Sequence, residues 1–496
     1  MDEHGKEPTP PQPPDATQEG GPRIGVDEWV ARSNERITGR AGWTAPLGRA
    51  FDRVPPWAKL AIVVALTAAV PFLSDSEYVT RVAVNTVLFG LLALGLNVVV
   101  GYAGLLDLGY IAFYGFGAYA YAILSSGQFD IHWPTALSIP VVVVASALLG
   151  LLLGLPSRRL LGDYLAIVTL FFAQIFVVLT TNADRITLPW RDQPTDFTGG
   201  PNGIAGVDPM SFFGIQLDET RDYLWLSLIV FTVVIVGLHL LNESRTGRAW
   251  RALREDPLAA ELMSMPVNRL KLLAFMFGAA VAGLTGTIFS AVQLGVFPQN
   301  FDLPLLITLY AMVILGGSGS LAGVVIGAVV ITVSLELLRD PGNARLLFYG
   351  AIVVGLLAFM RPWAKVAIVA AGTIAFGLVA FAVVDAVRPA WTSGSIDGGI
   401  IGGALDGWVI HPENSIRLGN AGFVLLVACV IGLSQAKGRW RLALTIPTLY
   451  LAAFVWENRL VFEPSVTRIL LLGALLITLM NARPQGLLGT ARVEIV

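Results

Sequence analysis

From residue 57 to residue 480, long apolar runs alternate with short polar connectors. A membrane-crossing helix needs about 20 apolar residues, or fewer where it is broken or enclosed in protein. That pattern predicts spans at Trp57–Ser74, Val82–Gly101, Leu108–Ser125, Pro134–Leu155, Tyr164–Asn182, Tyr223–Leu241 and Leu272–Gln293. It continues with Pro304–Gly316, Leu321–Leu337, Leu346–Met360, Val366–Val384, Gly422–Leu433, Leu442–Trp456 and Val466–Met480. Pro304–Gly316 is short and Leu108–Ser125 is interrupted by glycine, so these two are the least regular. Residues 1 to about 50 are polar and rich in Pro and Gly, and cannot bury enough surface to fold alone. Ile24 to Ile37 has the pattern of a short amphipathic helix at a membrane surface, and no apolar region follows a basic start as in a signal peptide.

The basic residues test this set of passes. With it, Arg158-Arg159, the stretch from Ser244 to Phe275, Arg361, Lys365, Lys437, Arg439, Arg441 and Arg483 all fall on the side of the N-terminus. The arginines before the first span place that side in the cytoplasm. Asp75, Glu77 and the long 183–222 connector fall outside. Reading Pro304–Leu337 as one span would put Arg361 and Lys365 outside, so the positive-inside rule favours two pieces divided at Gly316-Gly317-Ser318-Gly319.

One interior stretch breaks the apolar pattern. SRTGRAWRALREDPLAAELMSMPVNRLKLLAF, Ser244 to Phe275, carries Arg245, Arg248, Arg251, Arg254, Glu255, Asp256, Glu261, Arg269 and Lys271. It cannot lie in hydrocarbon, and its arginines place it on the cytoplasmic side. Arg248, Arg251 and Glu255 share one helical face, with Ala252 and Ala259 near the same stripe, which predicts a short surface helix ended by Pro266. On charge pattern alone, a solvated helix at the headgroups explains it.

Composition narrows the class. The chain is 55% hydrophobic and 14% charged, with a mean hydropathy of +0.69, which is the signature of a polytopic membrane protein. A net charge of −2 says little about partners, and nothing in the sequence suggests nucleic acid. The single cysteine, Cys429, reads as a small buried apolar residue, and the four histidines are scattered, so neither a disulfide nor a metal site is expected. No GxxxxGK[ST] is present, so ATP would have to be bound by another subunit.

Glycine concentrates in Gly95–Leu124, Thr198–Val207 and Leu315–Val330. Glycine in membrane helices serves close packing, or lets the helix break and expose backbone around a pathway. Packing explains most single positions. Clusters that interrupt two separate apolar regions favour broken helices, and Asn97, Gly101, Gly104, Asp107, Gly109, Gly115, Gly117, Gly316 and Gly317 are the pathway candidates. Asp107 has two readings of equal weight: an intramembrane functional carboxylate, or a cap for the helix starting near Leu108.

GRAWRALREDPLAAE with KLLAF, together with GYAGLLDLGYIAF, GDYLAIVTL, TGGPNGI, ILGGSGSLAGVVIGA and ARPQGLLG, resembles the permeases of branched-chain amino acid ABC importers, of LivH/LivM type, in the family's order and roughly its spacing. The resemblance implies an all-α polytopic permease core over 56–362, with its coupling loop at 244–271. It leaves 363–465 as inserted spans with an outer loop, and 466–496 as a terminal span and cytoplasmic tail. LLFYGAIVVGLLAFMRP and ILLLGALLITLMNARP resemble each other, so duplication of the last helix is an alternative to insertion. In the family the charged loop sits in a cleft of the ATPase. That reading implicates Gly247, Arg248, Ala249, Arg254, Asp256, Ala259, Ala260 and Glu261, and a glycine usual after the Ala-Ala pair is replaced by Ser264. Leu105, Asp107 and Gln174 also depart from the family pattern.

The resemblance implies a bacterial inner-membrane importer subunit that is not itself an enzyme and holds no cofactor. Its partners would be two ATPases, a second permease or second copy, and an extracytoplasmic solute-binding protein met by Gly199, Gly200, Asn202 and Gly203. The substrate would be a branched-chain or other hydrophobic amino acid, or alternatively urea or a short amide. An ion-coupled transporter would need buried acidic residues, for which only Asp107 is available. A membrane enzyme is disfavoured because no catalytic constellation shares a face.

Overall fold

The computed structural model describes residues 55–460 except 74, 158–161, 185, 187–194, 213, 361–362, 395–401, 413–414 and 437, together with scattered positions between 467 and 488. The expectations for the N-terminal tail, Arg158-Arg159, Arg361, Lys437, Arg483 and most of Val466–Met480 lie outside the described residues. The architecture below is that of the unit Lys59–Thr490.

Helices form where the apolar runs predict them. They are α1 (Pro56–Leu73), α2 (Glu77–Asn97), α3 (Tyr110–Leu124), α4 (Thr135–Ser157), α5 (Asp163–Asn182) and α6 (Thr220–Glu243). The charged stretch gives α7 (Arg245–Glu255) and α8 (Pro257–Leu262), followed by α9 (Val267–Gln293). Then come α10 (Leu303–Gly316), α11 (Leu321–Leu337), α12 (Pro341–Phe359), α13 (Trp363–Val387), α14 (Ser415–Gln435) and α15 (Arg439–Val455). Among the described residues, 8 helices are long and apolar enough to cross a membrane, while α3 is a shorter apolar helix.

Two interruptions matter most. After Asn97, α2 widens into a π turn, Val98–Tyr102, and the chain is non-helical until Tyr110. The second lies between α10 and α11, where Gly317 takes φ +104° and the Ser320 hydroxyl accepts from the Gly323 N–H at 3.1 Å to start α11. The two pieces expected from the charge argument are therefore two helices. At the far end of α11 the chain turns by 120° into α12. Asp340 forces that turn by capping α12 through the Asn343 N–H, 2.9 Å, with Pro341 at the first helical position.

The core is built on α2 and α9, whose apolar windows are 83% and 61% buried, whereas those of α13 and α14 are 11% and 6% buried. The helices of 363–435 thus leave most of their apolar surface exposed. Small residues let α3 and α9 approach: a Cβ at Gly117 would stand 2.3 Å from the Gly283 carbonyl oxygen. A buried ion pair ties the peripheral region to α12. Arg345 Nε donates to Glu457 at 2.8 Å, Tyr349 donates to the same carboxylate at 3.3 Å, and Phe348 stacks on Trp456 at 4.2 Å.

The helix ends are laced together on two sides. At one end, the Leu487 and Leu488 N–H groups donate to the Leu315 and Gly316 carbonyls at 2.8 and 3.0 Å, so the GLL of the ARPQGLLG signature caps α10. At the other, Tyr78 donates to Glu336, Thr220 donates to Glu77, and Ile204–Ala205 pairs antiparallel with Gly295–Val296.

Candidate coupling site

The charged stretch is two short helices, not the single helix to Pro266 that its periodicity predicts. Asp256 causes the break. Its backbone is extended, at φ −150°, and its carboxylate accepts from the Leu258 and Ala259 N–H groups at 2.8 and 3.0 Å, with Pro257 opening α8. An Asp cap followed by proline is a start signal for a new helix.

Ser244 caps α7 by accepting from the Gly247 N–H at 3.3 Å. The inward stripe is Gly247, Trp250 and Leu253, all buried. Trp250 is fully buried, donates from its indole N–H to the Leu270 carbonyl at 2.8 Å, and meets Phe277 edge-on. This residue, missed in the sequence, fastens α7 to the root of α9. Arg248, Arg251 and Glu255 occupy the exposed face, as their spacing predicts. Arg248 and Arg251 also turn back to donate to the Glu243 and Asn242 carbonyls, at 2.8 and 3.0 Å, where the end of α6 is electronegative.

On α8 the exposed groups are Ala259 and Glu261 beside Leu258, Leu262 and Met263, which are 69%, 86% and 76% exposed. Ala260 is buried and Ala249 half-buried. Ser264 takes φ +64°, the left-handed region. Glycine enters that region freely, so the serine keeps the bend and carries its steric cost.

Arg254 does not face outward. It is half-buried, and its guanidinium donates to the Gly101 carbonyl and to the Ser318 hydroxyl, the latter at 3.3 Å. Gly104, at φ +70°, lies against it closely enough that a Cβ there would be 3.1 Å from the Arg254 Cα. The Asn97 Oδ1 in turn accepts from the Gly319 N–H at 2.8 Å. Asn97, Gly101 and Gly104 from the first interruption, Ser318 and Gly319 from the second, and Arg254 from the charged stretch therefore form one cluster. Gly317 adjoins it, packed against Gly486.

The other pathway candidates are not brought together. Gly109 lies against Thr169, Gly115 against Phe176 and Phe301, Gly117 against Gly283, and Gly316 against Gly323, all as close helix contacts. Asp107 is fully buried, its Oδ1 accepts from the Gly109 N–H at 2.8 Å, and its carbonyl accepts from the Tyr310 hydroxyl at 2.7 Å. It is thus a buried carboxylate that closes a local turn before α3, whose N-cap position is Gly109 and carries no side-chain cap bond.

At the opposite end, Gly199, Gly200 and Gly203 all take positive φ in a tight turn. The Asp196 carboxylate accepts from Gly199 N–H at 2.7 Å, and Gln299 donates to the Pro201 carbonyl at 3.2 Å. Asn202 is exposed and Gly200 buried. Beneath the turn, Tyr114, Tyr119, Phe176 and Phe289 surround Phe301 with ring centroids 5.3–6.3 Å away. Nearby, His132 Nδ1 sits 2.5 Å from an Asp208 carboxylate oxygen, and that hydrogen bond and charge raise the histidine's pKa. No group of metal-ligating residues occurs among the described residues.

A bundle of apolar helices around two broken spans, with one charged segment held against both breaks, defines a polytopic membrane permease. Residues 78–360 match the family described as the permease component of the branched-chain amino acid transport system, and the chain belongs to that family. It is 38% identical over 340 residues to the high-affinity branched-chain amino acid transport system permease protein LivM of Escherichia coli K12, covering 62% of this chain and 76% of that one. LivM of Salmonella typhimurium LT2 is equally similar. LivH of the same Salmonella strain is 26% identical over 258 residues, covering 50% of this chain and 80% of its own length. No solved structure matches the chain.

Proposed function

We propose that the chain is the permease subunit of an ATP-driven importer of branched-chain or other hydrophobic amino acids, with ATP hydrolysed by partner subunits. The observation that carries this reading is the α7–α8 segment. A loop in water that exposes Leu258, Leu262 and Met263 beside Asp256 and Glu261 offers apolar knobs with a polar rim, as an interface between proteins does. In this reading Arg248, Asp256, Ala259 and Glu261 border the contact, while Gly247, Ala249 and Ala260 shape the helices behind it. The sequence holds no P-loop motif, which supports ATP binding by a partner.

The remaining assignments follow from the same reading. The core is 56–362, and 363–465 is a peripheral insertion. The chain lies in the bacterial inner membrane with both termini on the cytoplasmic side, beside a second permease subunit or a second copy. The turn at Gly199, Gly200, Asn202 and Gly203 faces the solute-binding protein that delivers substrate. ATP-driven movement of α7 and α8 shifts the spans between two arrangements and alternates access.

The test is uptake of labelled leucine and labelled urea by cells lacking the chain, with the wild-type gene restored as control and redundant importers removed. Loss of leucine uptake alone supports the amino-acid reading. Loss of urea uptake alone keeps the importer class and changes the substrate. Unchanged uptake of both refutes the substrate assignment.

A further inference from the structure

We infer that Arg254 is a positioning residue inside the permease, the link by which movement of α7 reaches both broken spans, and not a contact to the ATPase. This rests on the importer reading and adds a route for its coupling. Three observations carry it. Arg254 is half-buried, while its neighbours on the outer face of α7, Arg251 and Glu255, are exposed. Its guanidinium bonds the backbone of one interruption, at Gly101, and the side chain of the other, at Ser318. The two interruptions are already joined through Asn97 and Gly319, so what moves one moves the other.

The chemistry suits arginine. A planar fork of fixed N–H donors holds two acceptors at once, whereas a lysine ammonium is a single point that swings on a flexible stem. The contact is also short-range by construction: Gly104 lets the Arg254 backbone come up to the chain without an intervening side chain. Displacement of α7 along its axis therefore either carries Gly101 and Ser318 with it or breaks both bonds. Transmission between sites requires an element with two discrete arrangements, and in this inference the two are the bonds kept and the bonds broken. Docking and transmission would then belong to the two helices of the same segment, Leu258 and its neighbours on α8 receiving the push and Arg254 on α7 passing it on.

The experiment compares wild type, Arg254→Gln, Arg254→Lys and Leu258→Asp, each co-expressed with the partner ATPases and permease, purified into nanodiscs and proteoliposomes, and supplied with the leucine-loaded solute-binding protein. Co-purification of ATPase, ATP hydrolysis, and uptake of labelled leucine per ATP are measured. Arg254→Gln is expected to retain the ATPase and its basal hydrolysis, while uptake per ATP falls roughly 5–150-fold, the span of an ordinary coupling free energy. Arg254→Lys should recover part of that loss, and Leu258→Asp should lose the ATPase itself. A simple folding defect would lower recovery of the complex and both activities together. If Arg254→Gln loses the ATPase, or transports with unchanged stoichiometry, the inference is overturned and the importer reading stands. If the wild-type chain itself captures no ATPase, the importer reading falls and takes this inference with it.

Discussion

Replacing Trp250 with alanine should free α7 from α9. An indole buries about 150–250 Å², and at about 25 cal/mol per Å² this amounts to roughly 4–6 kcal/mol, an upper figure because unfolded chains already hide some surface. Measured Trp→Ala truncations cost about 3–5 kcal/mol, so the opened form of α7 becomes roughly 10²–10⁴-fold more populated at about 1.4 kcal/mol per decade. Trp250→Phe keeps most of the area and forfeits the N–H bond to the Leu270 carbonyl, a loss of about 1 kcal/mol or roughly fivefold. Trypsin reads this out. Arg248 and Arg251 are exposed but helical, and cleavage after them requires the helix to open locally, so its rate follows the opened population. The two variants should rank Ala far above Phe, with wild type slowest. Wild-type cleavage rates in Trp250→Ala would show that something other than this side chain holds α7, and the argument for an anchored coupling segment would fail.

Ser264→Gly should act in the opposite sense, relieving the left-handed strain by about 1 kcal/mol; cleavage after the exposed Glu261 of α8 by a glutamate-specific protease should slow several-fold, and acceleration would refute the strain. Glu457→Ala leaves the buried Arg345 without its carboxylate, a loss of about 3–5 kcal/mol. The aggregation midpoint of the detergent-solubilised protein should drop clearly, and an unmoved midpoint would deny the pair its role in fastening 363–460 to α12. His132 has its pKa raised by Asp208, so the stabilisation is full below the unfolded value of about 6.5 and is lost as pH rises through the folded value. Thermal midpoints compared at pH 5.5 and 8.5 (roughly a pH unit or more either side of the unfolded value) should show a His132-dependent gain at the lower pH. The same gain in Asp208→Asn would refute the pairing.

Much of this was readable in advance. Apolar run lengths placed α1 to α6 and α9 to α15, although the start of α14 lies at Ser415 and not at the expected Gly422, and basic residues divided α10 from α11, because hydrophobic length and loop charge are local properties. The same periodicity assigned Arg248, Arg251 and Glu255 to one face, which is exposed. What it could not say is that Arg254 belongs with the other face. The signal was present: Gly247, Trp250 and Arg254 recur at helical spacing, so the arginine sits above an apolar stripe. Its partners, Gly101 and Ser318, are distant in sequence, and no local pattern predicts them. Asp256-Pro257 also signals a new helix, a cue of two residues that the longer helical period runs across. The glycines divided by a criterion composition does not contain: Gly101, Gly104 and Gly319 meet the arginine cluster, whereas Gly115 and Gly117 only let helices touch.

The bonds from Leu487 and Leu488 to the Leu315 and Gly316 carbonyls bear on how the protein is made. A ribosome adding about 5–20 residues per second needs roughly 10–35 s to synthesise the roughly 170 residues between these partners. Throughout that interval the Leu315 and Gly316 carbonyls lack the two N–H donors they have in the finished fold. Every residue of 363–460 is therefore synthesised before the last contacts at the end of α10 can form.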